Sequence, residues 1–337
     1  MTLTRTTIAL CLSPSLLMAE TPNVVTDFAP IHSLAAQVMD GVGAPELLLP
    51  QGADPHGFQL RPSQMRSLSD ADLLIWVGPA MTPWLERAVD GASLGHSLAL
   101  LSAAGTVLRE GGHDHEHDAH DGEEHDDHDH DDHNQDDHAE HKEHDEHSDH
   151  DHETHDDHES DAHVEGVDPH AWLSPLNAQV WLEAIAEELS ELDPENAERY
   201  HENAHMAQES IAALDSRIQA RLAPVQAKGF VLFHDALGYF TDHFKLNNLG
   251  SIREGDAATP SAAQLAEIAE RIEHGDVSCI FSEPAQGETQ VLELAKSAGA
   301  GTAVLDPGGS TIEIGSMLYE NLMWNTADTI ASCLEGK

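Results

Sequence analysis

The chain has 337 residues and sets 62 Asp+Glu against 15 Lys+Arg, a formal net charge of −47. So acidic a chain repels phosphate backbones, which argues against nucleic acid as a partner. Aromatic residues make up only 4%, so the cores are expected to be aliphatic.

At the N-terminus Arg5 precedes an apolar stretch from Ile8 to Met18, closed by Ala19 before the acidic Glu20. This is the layout of a secretory signal peptide over 1–19, although Leu17 is larger than cleavage sites favour at that position. Cys11 follows Leu10, which speaks against a lipoprotein anchor. No later run approaches the ~20 apolar residues needed to span a bilayer. Removing the signal leaves Cys279 and Cys333, an even pair in an exported chain, and so predicts a disulfide. It would close a loop of about 55 residues, worth roughly 4 kcal/mol in the chain-entropy model. Zinc ligation by the pair is the rival reading, but no CxxC spacing supports it.

From Asn23 to Val107 short apolar runs alternate with amphipathic stretches: Val24–Thr26, Ile31–Met39, Glu46–Leu49, Ser63–Leu68, Leu73–Val77 and Thr82–Val89. That is the βαβα rhythm of a parallel sheet covered by helices.

The pattern then breaks. Between His113 and His163 the chain holds 17 His, 24 Asp+Glu and one Lys in 51 positions. The histidines are His113, His115, His117, His120, His125, His128, His130, His133, His138, His141, His144, His147, His150, His152, His155, His158 and His163. Such a segment buries too little apolar surface to offset its chain entropy, so it is expected to be disordered without metal. Imidazole is a good donor for zinc, copper and nickel, which makes the insert an auxiliary metal-binding loop by composition. A purely solvated acidic tether would explain the charge but not the imidazoles. Residues 128–133 spell the HxHxDH of metallo-β-lactamase-like hydrolases. In a run dominated by two residue types that match carries no weight.

Next comes a regular apolar stripe of Tyr200, Ala204, Ala207, Ile211, Leu214, Ile218 and Leu222. With Asp193 as N-cap and Pro194 in the first turn, it predicts one helix ending before Pro224. Its roughly 29 residues would reach about 43 Å, enough to pass from one domain to another. A coiled-coil dimer is the alternative for such a stripe, but the face is rich in Ala and short of flanking charge pairs. The strand and helix rhythm then returns: Phe230–Phe233, Ser261–His274, Val277–Phe281, Glu288–Ala298 and Thr302–Leu305.

Three histidines outside the insert stand at turns or strand ends: His56 in Gly52-Ala53-Asp54-Pro55-His56-Gly57, His170 in Asp168-Pro169-His170-Ala171-Trp172, and His234 after Phe233. Asp306 also follows a strand, and together they would make a His₃Asp set suited to four-coordinate zinc. In open α/β sheets ligands bind beyond the carboxyl ends of strands, where His234 is expected to lie.

The flanks of these residues are Leu60-Arg61-Pro62-Ser63, Asp168-Pro169-His170-Ala171-Trp172-Leu173-Ser174-Pro175, Phe233-His234-Asp235-Ala236-Leu237-Gly238, Phe281-Ser282-Glu283-Pro284 and Leu305-Asp306-Pro307. In this order they resemble the periplasmic metal-binding subunits of zinc and manganese ABC transporters, the cluster A-I family, and within it the zinc-specific ZnuA type. The resemblance covers nearly the whole mature chain. It implies two Rossmann-like lobes joined by a long rigid helix, with metal held between them by His56, His170 and His234. Manganese-type relatives tend to carry Glu where His234 stands, and nitrogen donors suit zinc better. The fourth ligand varies among relatives; Pro55 beside His56 throws the weight onto Asp306, with Asp54 or water as alternatives. The insert and a Cys279–Cys333 disulfide are also features of zinc-type members.

The expected organisation is therefore a signal peptide at 1–19, an α/β lobe from 20–110 with 164–192, a disordered His-rich loop at 111–163, a linking helix at 193–223 and a second α/β lobe at 224–337. The expected function is capture of Zn²⁺ in the periplasm by a monomer and its delivery to a membrane permease, with a periplasmic zinc chaperone as a further partner. A copper, nickel and zinc buffer is the alternative, distinguishable by competition titration. A zinc hydrolase is a lesser one, raised because three His plus an open position is also a catalytic zinc arrangement.

Overall fold

The computed structural model describes residues 21–91, 94–111, 166–253, 262–284 and 286–336. The signal segment and, from residue 112, the His-rich insert lie outside the described residues. The first lobe runs β1 (Val24–Thr26), α1 (Ala29–Val38), β2 (Glu46–Leu47), α2 (Pro62–Ser69), β3 (Leu73–Trp76), α3 (Pro83–Gly91) and β4 (His96–Ala99). After the insert come α4 (Pro175–Leu192) and α5 (Ala197–Leu222). The second lobe runs β5 (Gly229–His234), α6 (Gly238–Phe244), β6 (Asn248–Arg253), α7 (Ala262–Glu273), β7 (Val277–Ser282), α8 (Glu288–Ala298) and β8 (Gly301–Val304), and α9 (Leu318–Glu335) follows.

Both sheets are parallel, ordered β2-β1-β3-β4 and β6-β5-β7-β8. Each therefore reverses strand order once, between β1 and β3 and between β5 and β7, and opens a crevice at that point. The central strands β1, β3 and β5 are near-continuous buried apolar runs because helices cover both faces. Successive residues feed different cores: Leu73 and Ile75 face a shared cluster, Leu74 and Trp76 an outer one. Likewise Phe230 and Leu232 join the shared cluster, while Val231 and Phe233 face the outer core of the second lobe.

The shared cluster extends from Ile31 and Leu34 of α1 through Trp181 of α4 and Ile211 and Ile218 of α5 to Phe281 and Leu334. Every residue of the predicted α5 stripe is buried, and the helix meets α1, α4 and α9 of its own chain. The stripe is thus an internal face, which removes the motive for a coiled-coil dimer. Asp193 does not cap α5. It closes α4 instead, and Asn196 occupies the α5 N-cap position. The reason is local: one Asp193 oxygen accepts hydrogen bonds from Asn196 Nδ2 (2.7 Å) and Tyr200 Oη (3.0 Å), holding residues 193–196 as a turn.

The aliphatic expectation also needs correction. Aromatics are few but concentrated inside: all three tyrosines are buried, and Trp172, Trp181, Tyr200, Tyr319, Phe230 and Phe240 are among the largest fully buried side chains. The helix α9 closes this core against α1. Ser33 Oγ donates to Ser316 O (2.9 Å) and accepts from Tyr319 N (2.9 Å), while Tyr319 Oη donates to Trp172 O (2.9 Å). The predicted Cys279–Cys333 disulfide is present and ties β7 to α9.

Candidate metal centre

The carboxyl ends of the two sheets border one cavity of about 390 Å³. His56, His170, His234 and Asp306 all line it, and so does Asp54. The ring centroids of His56 and His170 are 5.8 Å apart, and those of His170 and His234 are 5.2 Å apart. Two imidazoles on one tetrahedral zinc, through bonds of ~2.0 Å, would place their centroids roughly 5 Å apart. The rings therefore have the right separation. Among the described residues no three His, Cys, Asp or Glu side chains are yet closed on one point as a held metal ion requires.

Each histidine is set by a different device. His56 sits in the loop between β2 and α2, where Asp54 Oδ1 accepts its backbone N–H (2.9 Å) and the Trp84 indole donates to Pro55 O (2.6 Å). His170 is buried, and Asp168 Oδ1 accepts both its backbone N–H (3.0 Å) and its ring Nδ1 (2.8 Å). His234 ends β5. Its Nδ1 lies 2.6 Å from Glu283 Oε1, just beyond β7. The register explains that pair, since Val231 is opposite Ile280 and the count carried forward sets His234 opposite Glu283. An ionised carboxylate only accepts, so Nδ1 carries the proton in both rings and Nε2 is the nitrogen that keeps its lone pair.

Asp306 is otherwise engaged. Its Oδ1 accepts from Ser310 N (2.8 Å) and Oγ (3.0 Å), and its Oδ2 from Thr311 N (2.8 Å) and Oγ1 (2.7 Å). Those four bonds occupy a carboxylate's usual complement of lone-pair sites. Gln51 Nε2 donates to Gly309 O (3.1 Å), joining this turn to the loop that carries His56. The orienting roles of Asp168 and Glu283 escape a residue-by-residue reading. A carboxylate two positions before His170 was a local signal; Glu283 needed the β5–β7 register.

At the crevice of the first sheet the corresponding place is taken by Asp27, which is fully buried. Its oxygens accept the N–H of Phe28 (2.8 Å) and of Val77 (2.9 Å), tying the ends of β1 and β3. Burial pushes its pKa up from 3.8 to about 7, and the backbone N–H groups of Val77, Phe28 and Asp27 itself oppose the rise only in part. The folded state thus binds the extra proton more tightly than the unfolded chain. Asp27 contributes stability that is fully present below about pH 4 and is lost as pH rises through 7. Between pH 5 and pH 8 the wild type should lose about 3 kcal/mol relative to Asp27→Asn, read from urea denaturation of both proteins at the two pH values.

Two parallel α/β lobes with a nitrogen-rich cavity between their strand ends define a bilobal solute-binding protein. Residues 24–333 match the family model described as ZnuA, zinc-uptake complex component A, periplasmic, and the chain belongs to that family. It is 47% identical over 318 residues to the high-affinity zinc uptake system protein ZnuA of Paracoccus denitrificans (strain Pd 1222), covering 94% of this chain and 93% of that one. It is 37% identical over 326 residues to the protein of the same name from Brucella abortus (strain 2308), covering 95% and 94%. A crystal structure of ZnuA aligns with a TM-score of 0.69 at 20% identity over 93% of this chain and 99% of that one, a likeness of fold. The family is one of uptake components rather than enzymes, which retires the hydrolase alternative.

Proposed function

We propose that this protein captures Zn²⁺ in the periplasm and hands it to the membrane permease of a zinc ABC transporter; its relatives carry the name high-affinity zinc uptake system protein. The observation that carries the reading is the meeting of His56, His170 and His234, from three separate parts of the chain, on one cavity at ring spacings suited to zinc. These three are the proposed ligands. Binding needs a short inward movement of their side chains. Asp306 is the proposed fourth ligand, and to serve it must exchange one of its bonds to Ser310 or Thr311. Nitrogen donors with carboxylate partners favour zinc over the harder manganese.

In this reading the chain is a monomer whose lobes, 20–110 with 164–192 and 224–337, are linked by the 193–223 segment. The single core threading α4 and α5 supports a stiff linkage. A signal peptide at 1–19 accounts for export, and the 111–163 loop acts as an auxiliary collector or sensor of zinc. Its tether keeps weakly held ions near the cleft. A periplasmic zinc chaperone could draw on the same loop.

Deleting 112–163 from the mature protein should reduce zinc stoichiometry from several ions to about one while the tightest site persists, measured by competition with a chelating dye. Unchanged stoichiometry would remove the collector role. Parallel titrations with Cu²⁺ and Ni²⁺ test the buffer alternative, which predicts no preference for zinc at the retained site.

A further inference from the structure

The residues at the base of the insert do more than close a loop. Glu110 bridges Val167 in antiparallel fashion. Gly111 N donates to Gly166 O (2.6 Å), and Asp168 N donates to Arg109 O (2.9 Å). This short ladder presents the Arg109 side chain to three carboxylates. Its Nη1 donates to Asp168 Oδ2 (3.0 Å), its Nε donates to Asp242 Oδ2 (3.0 Å), and Asp235 Oδ2 lies 3.9 Å from Nη1. The backbone N–H of Arg109 donates to Tyr239 Oη (2.8 Å), and that hydroxyl donates to Asp168 O (3.0 Å). Gly238 forms the seat: a Cβ there would lie 2.3 Å from Nη1 and 2.4 Å from Cζ, so any side chain would displace the guanidinium from this place.

Two of these partners flank candidate ligands. Asp168 holds the His170 ring through its other oxygen, and Asp235 follows His234. Asp235, Gly238, Tyr239 and Asp242 belong to the second lobe, whereas Asp168 and His170 precede α4. With one oxygen on His170 and the other on Arg109, Asp168 has a fixed plane. Without the guanidinium it is anchored from one side only. The planar fork of arginine suits this role in a way that a lysine ammonium does not.

We propose that Arg109 is a positioning residue for His170, acting through Asp168, and that it makes the orientation of that ring depend on the seam between the lobes. The inference rests on the reading of His170 as a zinc ligand. When Asp242 and Asp235 are in place the guanidinium is held from the far side and the Asp168–His170 pair is locked. Parting the lobes withdraws those anchors and loosens a metal-bonding nitrogen.

The test is zinc release from the full mature chain loaded with Zn²⁺ alone, followed by stopped flow into excess chelator, reading the slowest phase. Removing an outer partner of a metal-bonding histidine typically costs 10–100-fold. Arg109→Gln and Asp168→Asn should each speed release about tenfold, and the double variant should be no faster than Asp168→Asn alone. Arg109→Lys, which keeps the charge but loses the fork, should resemble Arg109→Gln and serves if the latter does not fold. Asp242→Ala touches only the seam and should speed release about threefold. Wild-type release from Arg109→Gln, or effects that add in full in the double variant, would overturn the positioning role. Wild-type release from Asp242→Ala would overturn the dependence on the seam. His170→Ala separates the two levels. If it retains the slow phase, the ligand reading itself fails; if it loses that phase while the Arg109 variants behave as wild type, only the positioning role fails.

Discussion

A variant with His56→Ala, His170→Ala and His234→Ala that keeps the whole insert should lose its tightest zinc site and retain the weaker ones. Zinc held by four protein ligands is worth about 10–16 kcal/mol at neutral pH, so removing one costs roughly 3 kcal/mol, about a hundredfold in affinity. Removing three leaves no site worth the name in the cavity. Single variants rank the donors. His170 and His234, each backed by a carboxylate, should each cost the full hundredfold. Asp306→Ala should cost nearer tenfold, because the carboxylate gives up turn hydrogen bonds in order to ligate. Competition against a high-affinity chelating dye reads all of these. Retention of the tightest site in the triple variant would move it to the insert, and the cleft reading would have to be abandoned.

Cys279→Ser with Cys333→Ser should lower the melting temperature by roughly 8 °C, corresponding to about 4 kcal/mol for a loop of some 55 residues. The bond joins a central strand of the second sheet to the helix that closes the shared core, so its loss acts on both. Gly301 is packed so that a Cβ would meet both sulfurs at 3.2 Å. Gly301→Ala should therefore reproduce part of the loss without touching either cysteine. Scanning calorimetry of the metal-free proteins makes the comparison, and equal melting temperatures would show that the native packing needs no cross-link.

Strands such as Leu73–Trp76 and Phe230–Phe233 were legible in the sequence because sheets buried on both faces are written as unbroken apolar runs. Two of the edge strands were not. Asn248–Arg253 carries Asn, Gly, Ser and Arg, and His96–Ala99 is half-exposed, so neither has the composition that marks a strand. The helix Pro175–Leu192 did announce itself through Ser174 and Pro175 at its start, a signal overlooked beside the stronger stripe of α5. Of the site, the three histidines stood out by their surroundings, and the family resemblance joined them. Their carboxylate partners could not be ranked without the register of β5 on β7, and Arg109 could not be found at all, because its partners come from segments that only the fold brings together.

The place of α9 bears on how such a chain matures. Synthesis runs from the N-terminus, yet the core beneath α1 is sealed by a helix that follows every strand of both sheets. Ser33 waits some 280 residues for the backbone groups it will bond. Until that last helix arrives, Ile31, Leu34 and Tyr200 have an unfinished wall, and the first lobe cannot settle ahead of the second. A chain that cannot complete its core early stays pliable until nearly all of it has been made.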